Sequence, residues 1–199
     1  MKAYVVGISG GTCSGKTTLA TKLYETLSEK YKTSVMHMDD YFRWDLMKTI
    51  APFTGIEYVE HNHPDIVDMD KFYVDFYDIA NSAEIVIVEG VFALYFAQLR
   101  EKLDLKIFVD LKSDERLYRR IKRHMAKDQT LDEVAVRYLD TVRHRHDEFV
   151  EPTRWYADIV VNGNLDANME TGVIISHINM STFKETNREE HTSWNNLNV

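Results

Sequence analysis

The chain has 199 residues, 44% apolar, 12% aromatic and 28% charged, which fits one globular domain with at most small appendages and excludes a disordered chain. A single cysteine, Cys13, excludes a disulfide scaffold, and no apolar run approaches the roughly 18 residues of a membrane span. The formal net charge of −8 disfavours a general nucleic-acid or membrane binder, yet residues 112–145 hold ten basic against six acidic side chains, a local excess suited to a small anionic ligand.

The opening MKAYVVGISGG is apolar only briefly and runs straight into glycines, so it reads as a strand rather than a leader, and the cytoplasm is the expected compartment. Residues 3–8 are that strand, followed by the GGTCSG loop and a helix over 16–30 whose Leu19, Leu23 and Leu27 share one buried face. A short strand is predicted at 33–37. Residues 38–66, with Pro52, Gly55 and Pro64, show no period and read as a long connection with one short helix, the kind of segment that is functional or mobile. Next come a helix over 68–80 capped by Asp68, a buried strand at 84–88, a helix over 92–102 and a strand at 105–109. A helix over 113–127 opens at Ser113 as its capping residue, with Asp114 and Glu115 in its first turn. A helix over 131–149, a strand at 157–161 and a short helix over 169–179 follow, and Ser181–Val199 reads as a loose polar tail. The alternation predicts an α/β fold with a parallel sheet of about five strands flanked by helices, forming one domain over 1–180.

Gly10-Gly11-Thr12-Cys13-Ser14-Gly15-Lys16-Thr17 matches G-x-x-x-x-G-K-[ST] between a predicted strand and a predicted helix, with Thr18 next. Glycines let the backbone N–H groups turn toward phosphate oxygens, and the helix N-terminus adds favourable partial charge. Lys16 can reach the β- and γ-phosphates and the Thr17 hydroxyl can ligate Mg2+, so the motif points to a nucleoside triphosphate. Cys13, without a His or Asp partner set by sequence, reads as a small filler rather than a nucleophile.

Ligands of parallel sheets sit beyond the carboxyl ends of the strands, where Asp39, Asp40 and Glu89 fall. Asp39 is assigned to accept or orient a hydroxyl proton and Glu89 to the metal. The bland reading is that Asp39, or more readily Asp40, only caps the next segment. Arg116, Arg119, Arg120, Arg123 and Lys127 lie along one face of the 113–127 helix, with Leu117, Ile121 and Met125 on the neighbouring face expected to pack inward. A charged stripe is often only a solvated face, but a phosphate would relieve its self-repulsion. With 124–131 as hinge, the stripe reads as a helical lid over about 112–140. His61 and His63, or His144 and His146, lack a third ligand and do not make a transition-metal site. Tyr41, Phe42 and Trp44 are either core or a stacking wall.

The segments GISGGTCSGKTTLA, MDDYF, HNHPDIVD, IVIVEGVFALYFAQLREKLDLKIFVDLKSDERLYRRIKR and HDEFVEPTRWYADIVVNG, spread over about 3–179, resemble the uridine kinase family of P-loop kinases. The resemblance implies a P-loop NTPase fold, ATP and Mg2+ as cofactors, and transfer to the ribose 5′-hydroxyl of a nucleoside such as uridine or cytidine. It gives Asp39 as base, Phe42 as the aromatic at the nucleoside site and Asp65 on the ribose hydroxyls. Arg120 and Arg123 fall at the closing site and Asp166 near the adenine-side loop. It also departs from the family. Between HPD and the EG motif only Ile66 to Val88 remain, which leaves the pyrimidine-reading hairpin with its Tyr and His expected to be absent, Gln129-Thr130 replaces an Arg-Asp pair, and Arg137 replaces a glutamine. Nicotinamide riboside kinases share the P-loop, DD-aromatic and EG segments and also lack that hairpin. They and a catalytically silent nucleotide-binding regulator are the alternatives. A nucleoside-like small molecule is the expected partner, with a homo-oligomer possible and no nucleic acid or membrane.

Overall fold

The computed structural model describes residues 3–44, 47–164 and 171–182. In chain order the elements are β1 (Tyr4–Gly10), α1 (Lys16–Leu27), β2 (Thr33–His37), β3 (Lys48–Ile50), β4 (Glu57–Val59), α2 (Met69–Ser82) and β5 (Ile85–Glu89). They continue with α3 (Ala97–Arg100), β6 (Leu105–Asp110), α4 (Ser113–Met125), α5 (Leu131–Arg137) and β7 (Ile159–Asn162). A further helix covers 171–182. Five strands form one parallel sheet in the order β2-β5-β1-β6-β7, as the alternation of strands and helices predicts.

The central strands β1 and β5 are buried along their whole length, which is why they read as continuous apolar runs. Successive side chains feed opposite faces. Val5, Val86 and Val88 join a core with Phe72, Phe76 and Phe92 under α2. Val6, Ile8, Ile85 and Ile87 join the core under α1, where Leu19, Leu23 and Leu27 are buried as predicted. Asp68 caps α2 by accepting from Lys71 N at 3.0 Å. The register aligns Ile8 and His37 with Glu89, so the carboxyl ends of β1, β2 and β5 sit level at one edge. That edge carries the loop after β1 and the turn after β2.

Several predicted elements differ. The long connection contains a hairpin, because β3 and β4 pair antiparallel around a turn with Gly55 at φ 70°. This hairpin precedes the HPD segment, and between HPD and the EG motif the structure has only α2 and β5, as the shortened stretch predicts. Thr54 Oγ1 and the Tyr58 hydroxyl both donate to buried Asp140 at 2.8 Å, and buried Glu60 accepts from Arg145 Nε at 2.9 Å. These bonds fasten the hairpin to the helical segment after α5. That segment runs on through two π-turns, Tyr138–Val142 and His146–Val150. The helix expected over 92–102 is reduced to α3, since Phe92 and Leu94 are pinned in the core and Arg100 Nη1 donates to the Leu94 and Tyr95 carbonyls. Lys112, not Ser113, occupies the cap position of α4. The inward face of α4 is also inverted: Arg116 is its buried residue, whereas Leu117 and Ile121 are half-buried and Met125 is exposed. The helix lies over the loop after β1, and its arginines supply the contacts there. Ser181 and Thr182 end the last helix, and the remainder of the expected tail lies outside the described residues.

Candidate active site

The loop between β1 and α1 is shaped by its glycines. Gly10 and Gly15 have φ of 143° and 110°, and a Cβ on Gly10 would stand 2.4 Å from the Val109 carbonyl oxygen. Cys13 takes φ 59°, and the Thr12 hydroxyl donates to its sulfur at 3.8 Å. Gly15 starts α1 with no side-chain cap, leaving the first N–H groups of the helix free for an anion. The buried Ser14 hydroxyl has no hydrogen-bond partner, a polar atom that a ligand oxygen would satisfy. Lys16 is buried, and its ammonium donates to Gly11 O at 3.0 Å, leaving two of three donors for a ligand. Burial pulls the Lys16 pKa down, against Glu89 and Asp39, which favour its charged form.

A cavity of about 270 Å³ opens on this loop, lined among others by Lys16, Thr17, Thr18, Asp39, Glu89 and Arg123. Four separate stretches of sequence therefore meet where the strand ends meet. Asp39 sits on the turn after β2 and its side chain caps nothing there. Asp39 and Asp40 are both exposed, but only Asp39 belongs to the cavity lining. Desolvation in the cleft holds the Asp39 carboxyl above the ordinary carboxylate range, with Glu89 adding and Lys16 and Arg123 opposing. Glu89 Oε1 accepts from Thr17 Oγ1 at 3.2 Å and lies 2.8 Å from His37 Nδ1. His37 is a site residue that sequence reasoning missed. Its signal was the register, since it ends β2 opposite Glu89.

The arginine stripe divides its work. Arg116 is buried, donating from Nε to Leu111 O at 3.0 Å, and lies against Gly11. Arg119 bonds to Gly163 O at 3.0 Å and Asn164 Oδ1 at 2.7 Å. Arg120 Nη1 donates to Thr12 Oγ1 at 3.1 Å, while its buried Nε has no acceptor. Arg119 and Arg123 line the loop cavity, while Arg120 touches the loop through Thr12 and lines the cavity beside it. Lys127 is exposed beyond them, and Asp128 at φ 63° breaks the chain direction before the Thr130–Glu133 capping box opens α5.

A second cavity of about 650 Å³ adjoins through Arg120, and Tyr58, His61, His124, Gln129 and Arg137 help line it. Trp44, half exposed, packs edge-on against His61 at 5.2 Å. Tyr41 and Phe42 pack on the core, against Phe72 and Phe92 respectively, so of the three aromatics Trp44 is the one reaching toward this cavity. Asp65 carries an exposed carboxylate 3.5 Å from His63 Nδ1 and lines neither cavity. His144 packs on Phe53, and His146 lies 3.2 Å from Glu151. Asp166 lies outside the described residues.

The geometry can cradle an oxyanion at the loop, hold a hard cation between Thr17 and Glu89, and place a carboxylate beside both. Among known proteins, the phosphoribulokinase/uridine kinase family model matches residues 74–169. A uridine kinase from Chlamydia pneumoniae is 31% identical, with 89% of this chain and 90% of the relative covered. One from Deinococcus deserti is 33% identical, covering 81% of this chain and 88% of the relative. A solved structure described as a possible uridine kinase from Bacillus stearothermophilus superposes with a TM-score of 0.50 at 21% identity, over 81% of this chain and 89% of that one. That likeness concerns the P-loop kinase fold.

Proposed function

Because the chain belongs to the phosphoribulokinase/uridine kinase family, we propose that it transfers the γ-phosphoryl group of ATP to the 5′-hydroxyl of a ribonucleoside, as a uridine- or cytidine-kinase-like enzyme. The observation that carries this reading is the meeting of Lys16, Asp39 and Glu89 in one cavity at the strand ends.

The Lys16 loop and the free N–H groups of α1 bind the β- and γ-phosphates. Asp39 takes the proton from the acceptor hydroxyl as that oxygen bonds to the γ-phosphorus. The bond from the γ-phosphorus to the β–γ bridging oxygen breaks, and ADP leaves with the electron pair. Arg120 and Arg123 stabilise charge on the transferring group. Thr17 and Glu89 fit a magnesium ion, since both offer hard oxygens and His37 steadies the carboxylate; the ion would neutralise phosphate charge. The hairpin β3–β4, carrying Tyr58 and leading to His61, walls the acceptor side.

The reading is tested by coupled ADP release with uridine, cytidine and 5′-deoxyuridine. Release with the first two and none above background with the third is expected, and release that ignores the 5′-hydroxyl would refute it. The lid adds a second expectation. A non-hydrolysable ATP analogue should slow amide exchange over residues 116–130, as closure brings arginines onto the phosphates. Equal exchange with and without nucleotide would make the stripe a solvated face.

A further inference from the structure

We infer that Arg137 makes the acceptor cavity selective for a nucleoside whose base carries a carboxylate or an equivalent planar oxyanion. The inference rests on the kinase reading for the identity of the cavity, but its evidence is separate.

Arg137 is half-buried at the end of α5, on the wall of the larger cavity. Its Nη2 donates to Val59 O and to His61 Nδ1, both at 3.2 Å. Its guanidinium carbon lies 5.5 Å from the Tyr58 ring centroid. These contacts occupy a single nitrogen. Nε and Nη1 have no partner, and no carboxylate pairs with Arg137 among the described residues. A guanidinium does not lose its charge at accessible pH, so the cavity wall carries an uncompensated cation with donors to spare.

The supports of Arg137 are themselves fixed. A guanidinium only donates, so His61 Nδ1 must accept and the ring must be neutral with its proton on Nε2. Burial and the Arg137 charge lower the His61 pKa in the same sense. Tyr58 is held by its hydroxyl on Asp140. Of the other charged groups on the cavity, Arg120 donates from Nη1 to Thr12 and keeps its buried Nε without an acceptor, Glu133 Oε2 accepts from Thr130 N and Oγ1, and Asp132 is exposed in the first turn of α5. With Nη2 engaged, Nε and Nη1 remain as single donors on a fixed positive charge, which suits an anionic oxygen better than a neutral carbonyl.

The test compares 5-carboxyuridine with its neutral isostere 5-carbamoyluridine, and orotidine with its 6-carboxamide, by calorimetric binding and by kcat/KM. The wild type should favour at least one acid over its amide by about tenfold or more, expressed in KM and binding. Arg137→Gln should bring that ratio close to one, and Arg137→Lys, which keeps the charge but loses the fixed planar donors, should fall between. Acid-to-amide ratios near one for both pairs in the wild type would overturn the inference without any variant. So would a preference that survives in Arg137→Gln. If the acid binds through Arg137 but no analogue, uridine included, is phosphorylated, the kinase reading fails while the anion site stands.

Discussion

Lys16→Ala lowers kcat by on the order of 10²-fold or more, with loss mainly in turnover rather than in acceptor KM. The ammonium sits at the start of α1 among Gly11 O, Glu89 and Asp39, where on the proposed reading it would meet the charge that grows on the γ-phosphoryl oxygens. Its burial makes the effect large, because a charge already stripped of water needs no reorganisation when the transition state forms. Removing it also leaves Asp39 and Glu89 facing each other without their counter-charge, so Asp39 should hold its proton more tightly. Steady-state kinetics at saturating ATP check this. Turnover equal to wild type in the pure, folded variant would remove the phosphate role of the loop.

Asp39→Asn lowers kcat by about 10²- to 10⁴-fold, the range for a positioned proton acceptor, and leaves ATP affinity nearly unchanged. The substitution is close to isosteric, and Asp39 caps no element, so the fold should not feel it. The residue also sets a pH dependence. Desolvation raises its pKa, and only the carboxylate can accept the proton. Activity is therefore full above the raised pKa and falls as pH drops through it, so the acid limb of kcat/KM should lie above the ordinary carboxylate value of 3.8. Asp65→Asn should differ in kind. If Asp65 binds the ribose hydroxyls, its loss raises acceptor KM with kcat retained, since that bond exists in ground and transition states alike. Near wild-type turnover in Asp39→Asn would move the base elsewhere, with Asp40 the next candidate.

Much of this site is legible in the sequence because the chemistry is local. The loop from Gly10 to Thr17 is contiguous, and its neighbouring strand and helix have clear periods. Asp39 and Glu89 are found by a topological rule, since both stand just past the ends of parallel strands. The hairpin is not legible, because β3 and β4 have three residues each, too few to show alternation, and they are edge strands with exposed positions. The inversion of α4 escapes for a different reason. Apolar residues normally mark the buried face, but here the neighbour is a polar loop, so Arg116 goes inward and Met125 outward. His37 and Arg137 take their roles from partners 52 and 76 positions away, and no pattern along the chain announces such pairs.

The most direct measurement is the proton-coupled phosphorus spectrum of the product formed from ATP, Mg2+ and uridine by the wild-type protein. The expected result is a new monophosphate resonance split into a triplet by the two 5′ methylene protons, appearing in step with ADP. Inorganic phosphate alone, or a doublet from phosphate on a secondary ribose hydroxyl, would contradict transfer to the 5′-hydroxyl.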